Sequence, residues 1–427
     1  MLRQILGQVR TSVLRLLPKP DLDLSQLDRI PVSLRWPLER DRFDPVARTA
    51  ETRATAPVHR LGSLIGITIW LVTEEQAGRQ VLVEPEAYST DIRPYVGTRG
   101  RSDGDIGGLG FTDPPDHTRL RRLITPEFTM RRLQRVQPAL ERIIAERLDA
   151  VAAEAEAALD GVVDLAPVFA FAVPFEMICE LLGLPVDERA GFRELSEARF
   201  DVSQGGVGAL GAISQSREFL KEATARQRLE PGPGLIGQIV REHGDEINDY
   251  DLAGLADGVF NGGMETSASM LAMGSAVLLG HPDAYRRMRE EPEAVGPIVE
   301  ELLRYLSVVQ VAFPRFAKVD VQVGDQLVRA GDVVLVSLPG ANRDPHAFGE
   351  RPDSFDPDRP PHSHLAFGHG IHRCVGAELA RMELRAAFSA LSARFPDMEL
   401  ADDDHGFRAE SIVYGVDRVL VRPFGRP

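Results

Sequence analysis

One stretch constrains this chain more than any other: HSHLAFGHGIHRCVGAELAR, from His362 to Arg381. Its cysteine, Cys374, stands among glycines, with Phe367-Gly368 and Gly370 before it and Gly376 after it. Glycines in such places let the backbone approach a bulky flat group and turn N–H groups toward the sulfur. From Val375 the spacing becomes helical, with Leu384, Phe388, Leu391 and Phe395 on one face. Cys374 is therefore expected at a helix N-terminus, where the dipole favours thiolate over thiol. A thiolate held this way suits the axial position of haem iron. Zinc is the competing reading, through His362, His364, His369, His372 and Cys374. Their spacing matches no closed tetrahedral set, and no second cysteine lies near.

Cys179 is the only other cysteine among 427 residues, so no disulfide framework is available and a cytoplasmic, reducing setting is expected. The net charge of −15 argues against wholesale phosphate binding, and no nucleic-acid partner is expected. The longest apolar runs, 64–72 and 333–338, read as strands; they are far short of the ~20 residues of a transmembrane anchor. Periodicity predicts helices over 130–158, 167–182, 188–203, 210–227, 235–243, 248–279, 294–306 and 374–395. Residues 86–110 form a Gly- and polar-rich loop, long enough to be functional. The expected fold is mostly α with small β-sheets. Gly206, Gly208 and Gly211 fit G-x-G-x-x-G, but no buried strand precedes them, so an inter-helix loop is expected. Residues 1–17 carry Arg3, Arg10 and Arg15 and no acid, at amphipathic spacing. They read as a terminal helix on the protein's own surface, with an interfacial helix or a presequence as alternatives.

Taken whole, F-G-H-G-I-H-R-C-V-G resembles the haem-binding loop of the cytochrome P-450 superfamily, with Cys374 matching the proximal iron ligand. Other motifs agree. Glu301-x-x-Arg304 followed by Phe355, Pro357 and Arg359 resembles the family's buried Glu–Arg–Arg network. D-P-P-D-H-T-R-L-R-R, from Asp113, resembles the helix that reaches the haem propionates; it implies contacts from His117 and Arg121, with Asp113 expected to cap the helix. Arg315 and His372 match the remaining propionate contacts. N-G-G-M-E-T-S, at Asn261 to Ser267, resembles the distal-helix signature through Gly263, Glu265 and Thr266. Gly262 stands where alanine is usual and Asn261 where an apolar residue is usual, which implies a wider or wetter groove. The bland alternative is a close helix crossing at the glycines.

The resemblance implies a soluble, bacterial-type protein with haem b, iron protoporphyrin IX, between the Glu265–Thr266 helix and the Cys374 helix. Residues 41–427 are expected to form a single catalytic domain, and 1–40 an extension of basic helix and then loop. The implied activity is monooxygenation: one atom of O2 enters a lipophilic small-molecule substrate by hydroxylation or epoxidation. Two electrons come from a ferredoxin and ferredoxin reductase, with docking expected at Arg119, Arg122, Arg131, Arg132 and Arg373. Thr266 and Glu265 are the expected proton-delivery pair, and Val259, Phe260, Val311 and Ile412 the expected substrate contacts. A haem-thiolate peroxygenase and a haem-based sensor are the rival readings; the Glu265-Thr266 pair argues against the first.

Overall fold

The computed structural model describes residues 31–64, 66–91, 109–200, 206–409 and 411–426. The expected basic helix over 1–17 and most of the expected 86–110 loop lie outside the described residues. Among those described, the fold is mostly helical with small sheets.

A five-stranded sheet is built from β1 (Val58–Leu64), β2 (Ile67–Val72), β3 (Tyr88–Ser89), β4 (Arg315–Ala317) and β5 (Val333–Val336), in the spatial order β1-β2-β5-β4-β3. The apolar run over 64–72 is therefore not one strand. The chain reverses at Gly66, whose φ of 76° suits glycine, and β1 and β2 pair antiparallel. β5 pairs parallel to β2 and antiparallel to β4, with Val334 opposite Trp70 on one side and Arg315 on the other. β3 adds to the free edge of β4, Ser89 opposite Phe316. This register carries Arg315 to the segment that follows β3.

The helices that frame the site are α1 (Glu75–Val83), α2 (Asp116–Ile124), α3 (Gln137–Ala157), α4 (Ala172–Leu182), α5 (Gly206–Leu229), α6 (Asp249–Leu279), α7 (Pro292–Leu306) and α8 (Ala377–Arg394). α6 starts where the sequence placed it: Asn248 Oδ1 accepts the Asp251 N–H at 2.7 Å, and Asp249 and Asp251 sit against the positive end of the dipole. It runs unbroken through its glycines and packs on α4, α5 and α8. A Cβ on Gly274 would come within 2.6 Å of Phe388 in α8, and one on Gly263 within 2.5 Å of Ile178 in α4. At both crossings any larger residue would push a neighbouring side chain aside.

Several expectations shift. The helix over 130–158 divides into Met130–Leu133 and α3, because Pro138 in the first turn of α3 cannot continue the preceding helix. Gly206, Gly208 and Gly211 lie in α5 rather than in a loop. α8 begins at Ala377, after Gly376, and not at the cysteine. Packing also begins ahead of residue 41: Trp36 is buried beneath Arg48 and joins Leu61 and Leu71.

Candidate active site

The cysteine loop is folded by its own backbone. Cys374 N–H donates to the Phe367 carbonyl at 2.9 Å, and Gly368 N–H to Leu365 O at 2.8 Å. Gly368 and Gly370 take φ of 68° and 73°. At Gly370 a Cβ would lie 2.4 Å from the Leu82 carbonyl of α1, so both conformation and contact require glycine. At Gly368 and Gly262 a Cβ would meet nothing within 4 Å. The Cys374 side chain is accessible yet deeply set among protein atoms, so it lines a concavity. Burial pushes its thiol above the ordinary range. The Gly376 N–H and the charges of Arg121, Arg373 and Arg381 oppose that shift without overcoming it. α8 starts only after Gly376, so Cys374 stands just ahead of the helix rather than in its first turn.

Beside this loop lies a concentration of buried cationic and imidazole groups. Arg315 is buried, and burial lowers its guanidinium to about 10. His372 is driven down to about 3, first by burial and then by Arg315 and His117. The rings of His117 and His372 lie 4.3 Å apart, and neither ring nitrogen of the buried His117 has a hydrogen-bond partner among the described residues. Arg121 Nη2 donates to the Arg373 carbonyl at 2.8 Å, which ties α2 to the cysteine loop. Asp113 is not the cap of α2. It accepts from Ser89 Oγ and the Thr90 N–H instead, and Pro115 stands at the cap. Arg315, His372, Asp113, Thr90 and Tyr88 line one cavity. Orphaned buried donors are costly unless a ligand completes them. A flat group carrying carboxylates fits these donors.

α6 presents a second surface. Gly258 and Gly262, four apart, are exposed, and a Cβ at Gly254, Gly258 or Gly262 would meet nothing within 4 Å. Thr266 follows on the same face, its Oγ1 donating to Gly262 O at 2.6 Å. The glycine pair therefore divides its work: Gly263 makes the crossing with α4, and Gly262 opens the groove. Glu265 lies 3.8 Å from Arg408, a residue the sequence did not single out. Val259 is 8% exposed and Phe260 0%, the latter against the Phe192 ring at 4.6 Å. Both turn largely into the core, one helical step from the open face. Val311 is half-buried and bridges to Ser337, while Ile412 is 52% exposed.

Residues 234–404 match the family model described as Cytochrome P450. Cytochrome P450 165B3 of Amycolatopsis orientalis is 37% identical over 408 residues, 93% of this chain and 100% of that protein. The chain belongs to the cytochrome P450 family. Among solved structures, OxyC, a P450 implicated in an oxidative C–C coupling reaction during vancomycin biosynthesis, superposes with a TM-score of 0.80 at 37% identity, covering 90% of this chain and 95% of that one. OxyB in its complex with the X-domain from teicoplanin biosynthesis also gives 0.80, at 38% identity and 90% and 98% coverage. As a P450 the chain is a haem-dependent monooxygenase, and the family binds haem b with its iron held by a cysteine thiolate.

The remaining motif residues of this P450 take the following places. Arg304 forms a two-pronged pair with Glu301, 2.7 Å at each prong, and Arg359 Nε donates to Glu301 Oε1 at 3.3 Å. The other donors of Arg304 end on the carbonyls of Asn342, Pro352 and Ser354. The network is buried and fully paired, as charge removed from water requires. The imidazoles of the zinc reading disperse: His362 faces Glu75, His364 faces Glu300 and His369 faces Arg79. No metal-binding cluster of such side chains exists among the described residues. Phe367 lies under the Arg381 guanidinium at 4.7 Å. Of the expected docking arginines, Arg119 pairs with Asp251 and Arg132 with Glu127 and Glu242, while Arg122 and Arg373 stay exposed, each 3.9 Å from a glutamate. No helix among the described residues is long and apolar enough to cross a membrane.

Proposed function

We propose that this P450 oxidises a bulky lipophilic substrate in the cytoplasm, drawing two electrons from a ferredoxin and its reductase. The observation that carries the substrate class is the open α6 face at Gly254, Gly258 and Gly262, beside Thr266. Bound haem supplies the activation of O2. Cys374 would hold its iron through the thiolate, with Phe367 and Gly368 shaping the loop around it. His117, Arg121, Arg315 and His372 hold the propionates; the orphaned His117 nitrogens and the buried charge of Arg315 support that role. Glu301, Arg304 and Arg359 fix the chain behind the cysteine loop. Val311 and Ile412 border the substrate, and residues 1–40 form an extension whose last part, at Trp36, packs on the catalytic part.

Thr266 and Glu265 bring protons to the oxygen atom that leaves as water. The Thr266 hydroxyl spends its proton on Gly262 O, which leaves its oxygen free to accept from water. Rotating away from that carbonyl lets it donate. The test is Thr266→Ala. Haem content and reductant consumption should persist, while product per electron pair falls and hydrogen peroxide rises. A variant as tightly coupled as the parent refutes the relay.

Oxidative coupling of aromatic rings is a second reading, favoured by the OxyC likeness and by the Phe111–Phe313 pair, edge-to-face at 4.8 Å. Spectral titration of the ferric protein separates them. Aromatic peptides should shift the Soret band under the second reading, and macrolides or terpenoids under the first.

A further inference from the structure

The acid of the proton-delivery pair is not presented to the groove alone. Glu265 Oε1 lies 3.8 Å from Arg408 Nη1, and Arg408 Nε donates to Asp417 Oδ1 at 2.9 Å. The outer member of this row, Asp417, is 68% exposed, whereas Arg408 at 18% and Glu265 at 20% are about equally sheltered. The row therefore joins solvent to the middle of α6. Arg408 is held on every side. Its backbone N–H donates to Gly415 O at 3.1 Å, Phe407 and Val416 form a bridge beside it, and its guanidinium covers the Phe171 ring at 5.7 Å. The loop bearing it presses onto α6. A Cβ on Gly415 would lie 2.7 Å from Ser269 Oγ, one turn beyond Glu265. A guanidinium fixed this well is a stationary charge against which a carboxylate can be oriented.

Resting on the proton-delivery reading above, we propose that Arg408 is a positioning residue for the reaction, holding the Glu265 carboxylate toward the solvent-facing loop where it takes up protons. The proton comes from water on the Asp417 side, resides on a Glu265 oxygen, and passes toward Thr266; no other atom is transferred. Arg408 touches neither substrate nor haem in this scheme and acts only through Glu265.

The experiment is a double-mutant cycle on the haem-loaded enzyme with Arg408→Gln, Glu265→Gln and both together, plus Arg408→Lys. Product per reductant and the solvent isotope effect on turnover are measured, with urea midpoints alongside as a readout independent of activity. Arg408→Gln should lower product per reductant at least twofold and raise the isotope effect. Arg408→Lys should recover most of that loss. In the Glu265→Gln background, Arg408→Gln should add nothing further, and the urea midpoints should be likewise non-additive. Equal losses from Arg408→Gln in both backgrounds would overturn the inference, because Arg408 would then act independently of Glu265. If Glu265→Gln and Thr266→Ala uncouple the enzyme while Arg408→Gln does not, this inference alone fails. If neither of those two uncouples it, the relay reading itself is wrong.

Discussion

Glu383 lies in α8, nine residues beyond Cys374, and is 2% exposed, with no hydrogen-bond partner for Oε1 among the described residues. Burial alone raises its carboxyl from the ordinary 4.5 to about 8. The folded protein therefore holds a proton there that the unfolded chain releases near pH 4.5. Stability from this group is complete below the unfolded value and is lost as pH rises toward 8. The interval from 4.5 to about 8, at about 1.4 kcal/mol per pH unit, bounds the loss at about 5 kcal/mol. Glu383→Gln keeps the shape and removes the titration. At pH 5 the variant and the parent should be nearly equally stable. At pH 8 the variant should be more stable by about 2–5 kcal/mol. With a urea dependence of about 3 kcal/mol per M, that is a midpoint rise of up to roughly 1.5 M. The assay is urea unfolding of the haem-loaded protein followed by circular dichroism at pH 5, 6.5 and 8. Parallel pH profiles for variant and parent would refute the argument, because they would mean Glu383 is ionised in the fold or solvated by a route the structure does not contain.

Other outcomes follow from the same geometry. Cys374→Ser should abolish the red-shifted Soret band of the reduced carbon-monoxide complex; an unchanged spectrum would remove Cys374 as ligand. Arg121→Ala should cost haem retention by on the order of 1–3 kcal/mol, while Arg122→Ala, at an exposed residue paired only with Glu246 at 3.9 Å, should cost far less. Haem-transfer kinetics to an acceptor protein would show it, and equal loss in both would contradict the geometry. Glu301→Gln leaves the buried Arg304 without its counter-charge and should destabilise by about 3–5 kcal/mol, read from thermal unfolding. Gly262→Val should fold normally, since a Cβ there meets nothing within 4 Å, but weaken spectral binding of bulky ligands at least tenfold. Unaltered binding would mean the open α6 face is not where the substrate lies.

The sequence by itself pointed to the family, to Cys374 as the candidate iron ligand and to most of the helix plan. These properties are local. A glycine-framed cysteine ahead of an amphipathic run, and a 31-residue helix opened by an Asn cap, are set by neighbours in the chain. Tertiary structure decided which face of α6 opens. That helix is apolar nearly all round, so its periodicity carries no phase. Only packing of Phe260 on Phe192 and of Gly263 on Ile178 fixes the rotation. A short acid before prolines is a good local cap, but the edge strand β3, brought alongside by β4, claims Asp113 instead. Arg408 and Glu383 carried no motif at all. One matters through a partner 143 positions away in the chain, the other through what surrounds α8 on its buried side. Charge and burial across such separations belong to the folded chain, because Coulomb and desolvation energies depend on distance and dielectric in space and not on position in sequence.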